Sequence, residues 1–70
     1  MRHHVPVRLS DFWERMDHWF GHAYARSWAG DQYLTELAGR TVVQALADGD
    51  DTREVWLAVW EHERMPGTLR

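Results

Sequence analysis

Apolar positions near the start of the chain recur at helical spacing. Leu9, Phe12, Trp13, Met16, Trp19 and Phe20 fall on one arc of about 120° when successive residues advance by about 100°. Ser10 stands where an N-cap belongs, and Asp11 and Glu14 place negative charge near the positive helix end. Gly21 supplies the stop. The next stretch, residues 22–38, is less regular. Tyr24 and Trp28 share a face, Ala29-Gly30 weakens the helix, and Asp31 can cap a fresh turn carrying Tyr33, Leu34, Leu37 and Ala38 before Gly39. One kinked helix or two short ones fit this pattern, and two are preferred.

The third segment is clearer. Thr41-Val42-Val43-Gln44 is a capping-box pattern, followed by Ala45 and Leu46 and closed by Gly49. Asp51-Thr52-Arg53-Glu54 starts the last helix in a similar way, with Asp in place of Ser or Thr. That helix carries Val55, Trp56, Val59 and Trp60 and runs to about Arg64, where Met65-Pro66-Gly67 ends it. No repeat, linker or strand pattern appears. The expected fold class is all-α, a compact bundle of four to five short helices with the last two in a helix-turn-helix-like arrangement. Residues 1–8 read as a flexible N-terminal arm, 9–66 as a single helical domain and 67–70 as a short tail.

Composition narrows the class further. A 70-residue chain sits near the lower limit for independent folding, but 44% of it is hydrophobic and five residues are tryptophan. There is no cysteine, so neither disulfides nor thiolate-metal sites can act as staples. Apolar runs are far shorter than the roughly 18 residues needed to span a bilayer, and the start lacks the apolar stretch of a secretory signal. The expected location is therefore the cytoplasm, with no membrane partner. Lys, Ile and Asn are absent and all eight basic residues are Arg, which points to a GC-rich genome. The net charge of −3 is uneven. Residues 1–40 balance, whereas residues 41–70 hold three Arg against Asp48, Asp50, Asp51, Glu54, Glu61 and Glu63.

Charge weighs on the most specific spacing in the chain. Counted from Thr41, a small residue, a turn glycine and a β-branched residue fall at Ala45, Gly49 and Val55, as a helix-turn-helix requires. In that geometry the last helix would present Thr52, Arg53 and Leu57 to a DNA major groove. Any two short helices joined at a steep angle by a glycine turn give the same pattern. Binding to phosphates needs several cationic contacts, and only Arg53 and Arg64 are on offer there. DNA contact is the second choice.

The remaining motifs favour bland readings. His18 and His22 with Glu14 are spaced for a divalent metal, but Gly21 separates the histidines, so solvated surface histidines are expected. Glu61-His62-Glu63 lacks the second histidine of a zinc-protease helix. Asp48-Gly49-Asp50-Asp51 lacks the alternating ligands of a calcium loop and suits capping and turn formation. No nucleophile has a base and orienter, so no catalytic residue, metal or cofactor is assigned. Trp28 and Trp56 suit a core. Trp13 and Trp19 lie at opposite edges of the first apolar arc and Trp60 at the edge of the last, which makes these three the candidate partner surface.

One resemblance adds to this. Leu9-Ser-Asp-Phe-Trp-Glu-Arg-Met16, Phe20-Gly21, Tyr24-Ala25, Ser27-Trp28-Ala29, Asp31, Leu34, Gly39-Arg-Thr-Val42, Ala45-Leu46, Gly49 and Val55-Trp56 together resemble the small actinobacterial proteins grouped as domain of unknown function 3046. The likeness covers about residues 7–66. Members are often encoded near the recombinase RecA and its regulator RecX, so the resemblance implies a setting in DNA repair or recombination and no particular activity. Two departures stand out. The arm before Arg8-Leu9 is long, and Leu57 stands where members often carry Arg. Together these readings lead to a non-enzymatic protein-interaction module, with an unknown protein or a second copy as partner. A DNA-binding helix-turn-helix protein is the alternative.

Overall fold

The computed structural model describes residues 8–70, so the arm expected at 1–8 lies outside the described residues except for Arg8. Among the described residues the chain forms α1 (Leu9–Phe20), α2 (His22–Asp31), α3 (Val42–Ala47) and α4 (Thr52–His62). Short 3-10 turns occupy Thr35–Leu37 and Gly67–Leu69. This is a small all-α bundle, in agreement with the hydrophobic periodicity. α1 packs on α2 and α4, α3 packs on the same two helices, and the Thr35–Leu37 turn leans on α4. Phe12, Met16, Leu34, Val42, Val55, Trp56 and Val59 form the dry centre.

Several boundaries differ from expectation. α1 begins at Leu9, so Ser10 sits inside the first turn and caps nothing. Leu9, Ser10 and Asp11 are exposed there, and their N–H groups do not need a side-chain cap. α2 runs straight through Ala29-Gly30, because Ala29 is fully buried and its packing outweighs the weak helix propensity of Gly30. Asp31 ends this helix and does not cap a second one. The chain extends at Gln32, pairs Leu34 with Arg40 across an isolated bridge, and makes only the 3-10 turn between them. Tyr33 and Ala38, expected on that second turn, are exposed. The Thr41–Gln44 capping box forms in full. Asp51 precedes α4 but makes no side-chain cap bond, and α4 stops at His62.

α3 and α4 end in the same device. After α3, Gly49 N–H donates to Leu46 O at 3.1 Å and Asp50 N–H to Ala45 O at 3.1 Å, with Gly49 at φ 88°. After α4, Arg64 N–H donates to Glu61 O at 3.2 Å and Met65 N–H to Trp60 O at 3.0 Å. Both are Schellman motifs, which require a left-handed residue just past the helix end. Gly49 meets that requirement without strain, whereas Arg64 is held at φ 54°. The motif at α4 turns Met65 inward, where it is buried.

A guanidinium joins the two loops. Arg40 Nε donates to Leu37 O at 2.9 Å, and its two Nη atoms reach Asp48 Oδ2 at 3.0 Å and Asp50 Oδ2 at 2.6 Å. The acidic run after α3 therefore anchors the 34–40 turn as well as closing the helix. The hydrogen bonds from Arg40 hold the Asp50 carboxyl below the usual range.

Both devices can be tested by stability. Arg64→Gly relieves the left-handed strain and raises stability by up to about 1 kcal/mol, read as a higher melting temperature. A lowered carboxyl pKa contributes stability that is present above the ordinary value and lost as pH falls through the folded one. Thermal melts therefore show wild type losing stability below about pH 4, and Arg40→Gln losing less of it over the same range.

Candidate functional site

Two indoles decide where the end of the chain lies. Trp56 is 1% exposed, and its N–H donates to Leu69 O at 3.0 Å. The Trp60 N–H donates to Pro66 O at 3.0 Å. An indole N–H held against a core needs an acceptor, and both acceptors here come from the segment after α4. Residues 67–70, expected as a tail, are thus folded back, with Leu69 packed against the core.

This return leaves an open groove of about 290 Å³ beside α1. Glu14, Arg15, His18 and Trp19 line it from α1, Trp56 from α4, and Thr68, Leu69 and Arg70 from the C-terminal turn. Trp19 forms a wall that is 36% exposed, and its N–H donates to Glu63 Oε1 at 3.2 Å. The guanidinium of Arg15 lies 5.6 Å from the centre of the Trp56 ring, and that of Arg70 lies 5.3 Å from the Trp60 ring. Arg15 Nη1 is buried with no hydrogen-bond partner among the described residues. The contrast with Arg40, held by two carboxylates, is direct.

The three edge tryptophans are not brought together. Trp19 lines the groove. Trp60 lines a smaller, more polar depression of about 200 Å³ with Glu36, Glu54, Leu57, Ala58, Glu61 and Arg70. Trp13 lines neither, since Arg26 stacks 3.9 Å from its ring centre and Phe12 packs against it edge-on. Trp28 stacks on Phe20 at 4.3 Å and is buried. Trp56 is both core and groove lining, a double role that helical periodicity does not express. Arg15, Leu69 and Arg70 were not anticipated as site residues. A signal existed for Arg15, which precedes His18 and Trp19 by three and four residues and so shares their helix face.

The residues proposed for DNA contact sit on α4. Ala45 and Val55 are fully buried and Gly49 has a positive φ. Thr52, Arg53 and Leu57 are half-exposed. Leu57 shares its depression with Glu36, Glu54 and Glu61. A bond from its own backbone N–H, opposed by desolvation and aided by His62 at 3.1 Å, holds the Glu36 carboxyl low. That face is anionic at neutral pH.

Among the histidines, His22 Nδ1 lies 2.9 Å from Asp17 Oδ2, and His18 stands on the groove rim. No cluster of three or more His, Cys, Asp or Glu side chains among the described residues is placed to hold a metal ion. The arrangement can therefore offer an apolar surface with cationic edges. It follows that Trp19→Phe removes the indole most accessible to acrylamide, whereas quenching changes little with Trp56→Phe. Quenching of tryptophan fluorescence in the two variants checks this ordering.

No helix of the described residues is long and apolar enough to cross a membrane. No curated protein and no solved structure matches the chain. The family described as "Protein of unknown function (DUF3046)" matches residues 7–68, which is nearly the whole chain, and the protein belongs to that family.

Proposed function

We propose that this protein is a non-enzymatic protein-interaction domain that offers the groove beside α1 to a partner. The observation that carries this reading is the exposed Trp19 wall beside Trp56 and Leu69 in an open, mostly apolar groove. Its volume of about 290 Å³ lies just under the roughly 300–1,000 Å³ of pockets that enclose small molecules. An open site of this size suits one or two side chains of a larger partner better than a whole substrate. Exposed Trp and Arg are also the residue types that dominate binding hot spots. A setting in DNA repair or recombination is supported by the family resemblance alone.

The test is a pulldown from the native host with wild type and Trp19→Ala side by side, assayed for RecA, RecX and any other retained protein. The expected result is a protein held by wild type and depleted about tenfold or more by the variant. Equal retention by both overturns the reading. Sedimentation of the purified chain shows separately whether a second copy is the partner.

DNA binding by α3 and α4 is the second reading, favoured by the placement of Ala45, Gly49 and Val55. The anionic surroundings of Leu57 oppose it. A salt titration against duplex DNA separates the two. Absence of binding at low salt removes this reading, and a steep fall of affinity with salt restores it.

A further inference from the structure

We infer that the groove is specific for a partner segment that sets an Asp or Glu side chain next to a bulky apolar one; this rests on the interaction reading above. The accessible apolar part of the site is Trp19 with Leu69, over the buried Trp56 ring. Among its lining side chains, Arg15, Arg70, His18 and the Thr68 hydroxyl accompany one carboxylate, Glu14, and a second, Glu63, is taken up by the Trp19 N–H at the wall.

The state of those cations matters more than their number. Arg40 is engaged by Asp48 and Asp50, and Arg26 is laid over Trp13. Arg15 and Arg70 have no carboxylate partner among the described residues and rest against indole faces. Arg15 also leaves Nη1 buried without an acceptor, which is costly for a charged donor. Turning its guanidinium toward an arriving carboxylate breaks no hydrogen bond in the described structure, while an Arg–carboxylate pair beside an apolar wall is a strong, charge-assisted contact. A basic segment would meet Arg15 and Arg70 unfavourably, and a purely apolar one would leave Arg15 Nη1 as it stands.

Selection of random displayed peptides on the intact chain tests this. Enriched peptides are expected to carry Asp or Glu within about two residues of a bulky apolar side chain, and exchange of that acid for its amide weakens binding about tenfold. Arg15→Gln has a comparable effect. Arg70→Gln, at an exposed position, provides the same check should Arg15→Gln disturb the packing over Trp56. The indole N–H signals of Trp19 and Trp56 are expected to shift on binding. Absence of enrichment, binding indifferent to the acid, or shifts confined to residues outside the groove overturns the inference. Peptides that shift Trp19 whatever their charge overturn the acidic preference and leave the interaction reading standing, whereas Trp19-independent capture from the host removes that reading itself.

Discussion

Burying the Trp56 indole organises this molecule. Its ring lies edge-on to Phe12 with centroids 6.2 Å apart, between α1 and α4, and is almost inaccessible. An indole in that position brings a donor that must not be left unpaired. The acceptor is Leu69 O, thirteen residues later. Satisfying the core therefore draws the C-terminal turn against α1, and the turn becomes one side of the groove. Core and candidate site share a residue, so any change at Trp56 mixes stability with binding. Trp19, Arg15 and Arg70 report on the groove more cleanly because less of the core depends on them.

What the sequence made legible was local. The apolar arc of α1, the Thr41–Gln44 box and the Gly49 stop are each written within one or two turns of chain, and each is where it was expected. The misses have a common physical origin in contacts between distant residues. Gly30 stays helical because Ala29 is buried against other elements, and Arg64 accepts a left-handed backbone because Met65 must turn inward. Ser10 and Asp51 are good caps by type, yet Ser10 falls inside α1, which starts at Leu9, and the Asp51 side chain makes no cap bond. The fold-back of 67–69 could not be read from periodicity either, because it depends on two indole donors finding backbone acceptors beyond α4.

The candidate site was less legible than the fold for the same reason. Edge position on a helical wheel correctly marked Trp19 as accessible, but it treated Trp13, Trp19 and Trp60 as equivalent. The difference among them is set by what covers each ring. Arg26 from α2 lies over Trp13, Arg70 lies near Trp60, and Trp19 has only a hydrogen bond at its edge. Long cationic side chains cover apolar surface while keeping their charge near water, and sequence alone does not show which ring they will choose.

Electrostatics separates the two faces of the molecule. Counting charges along the chain assigned the acidity to residues 41–70 as a block, but its parts do different things. Asp48 and Asp50 share Arg40, a residue of the balanced half, which leaves that trio with a net charge of −1. Glu63 is engaged with Trp19. What remains near α4 is Asp51 before it and Glu54 and Glu61, which with Glu36 from the other half surround Leu57, on the face a DNA-reading helix would have to present. Arg15 lies instead in the groove over Trp56, and Arg70, beside Trp60, borders both regions. The two regions meet at Arg70 and differ in the charge that surrounds them. The acidic face opposes a polyanion, while the groove, with an apolar wall and cationic edge, favours a short acidic segment of protein.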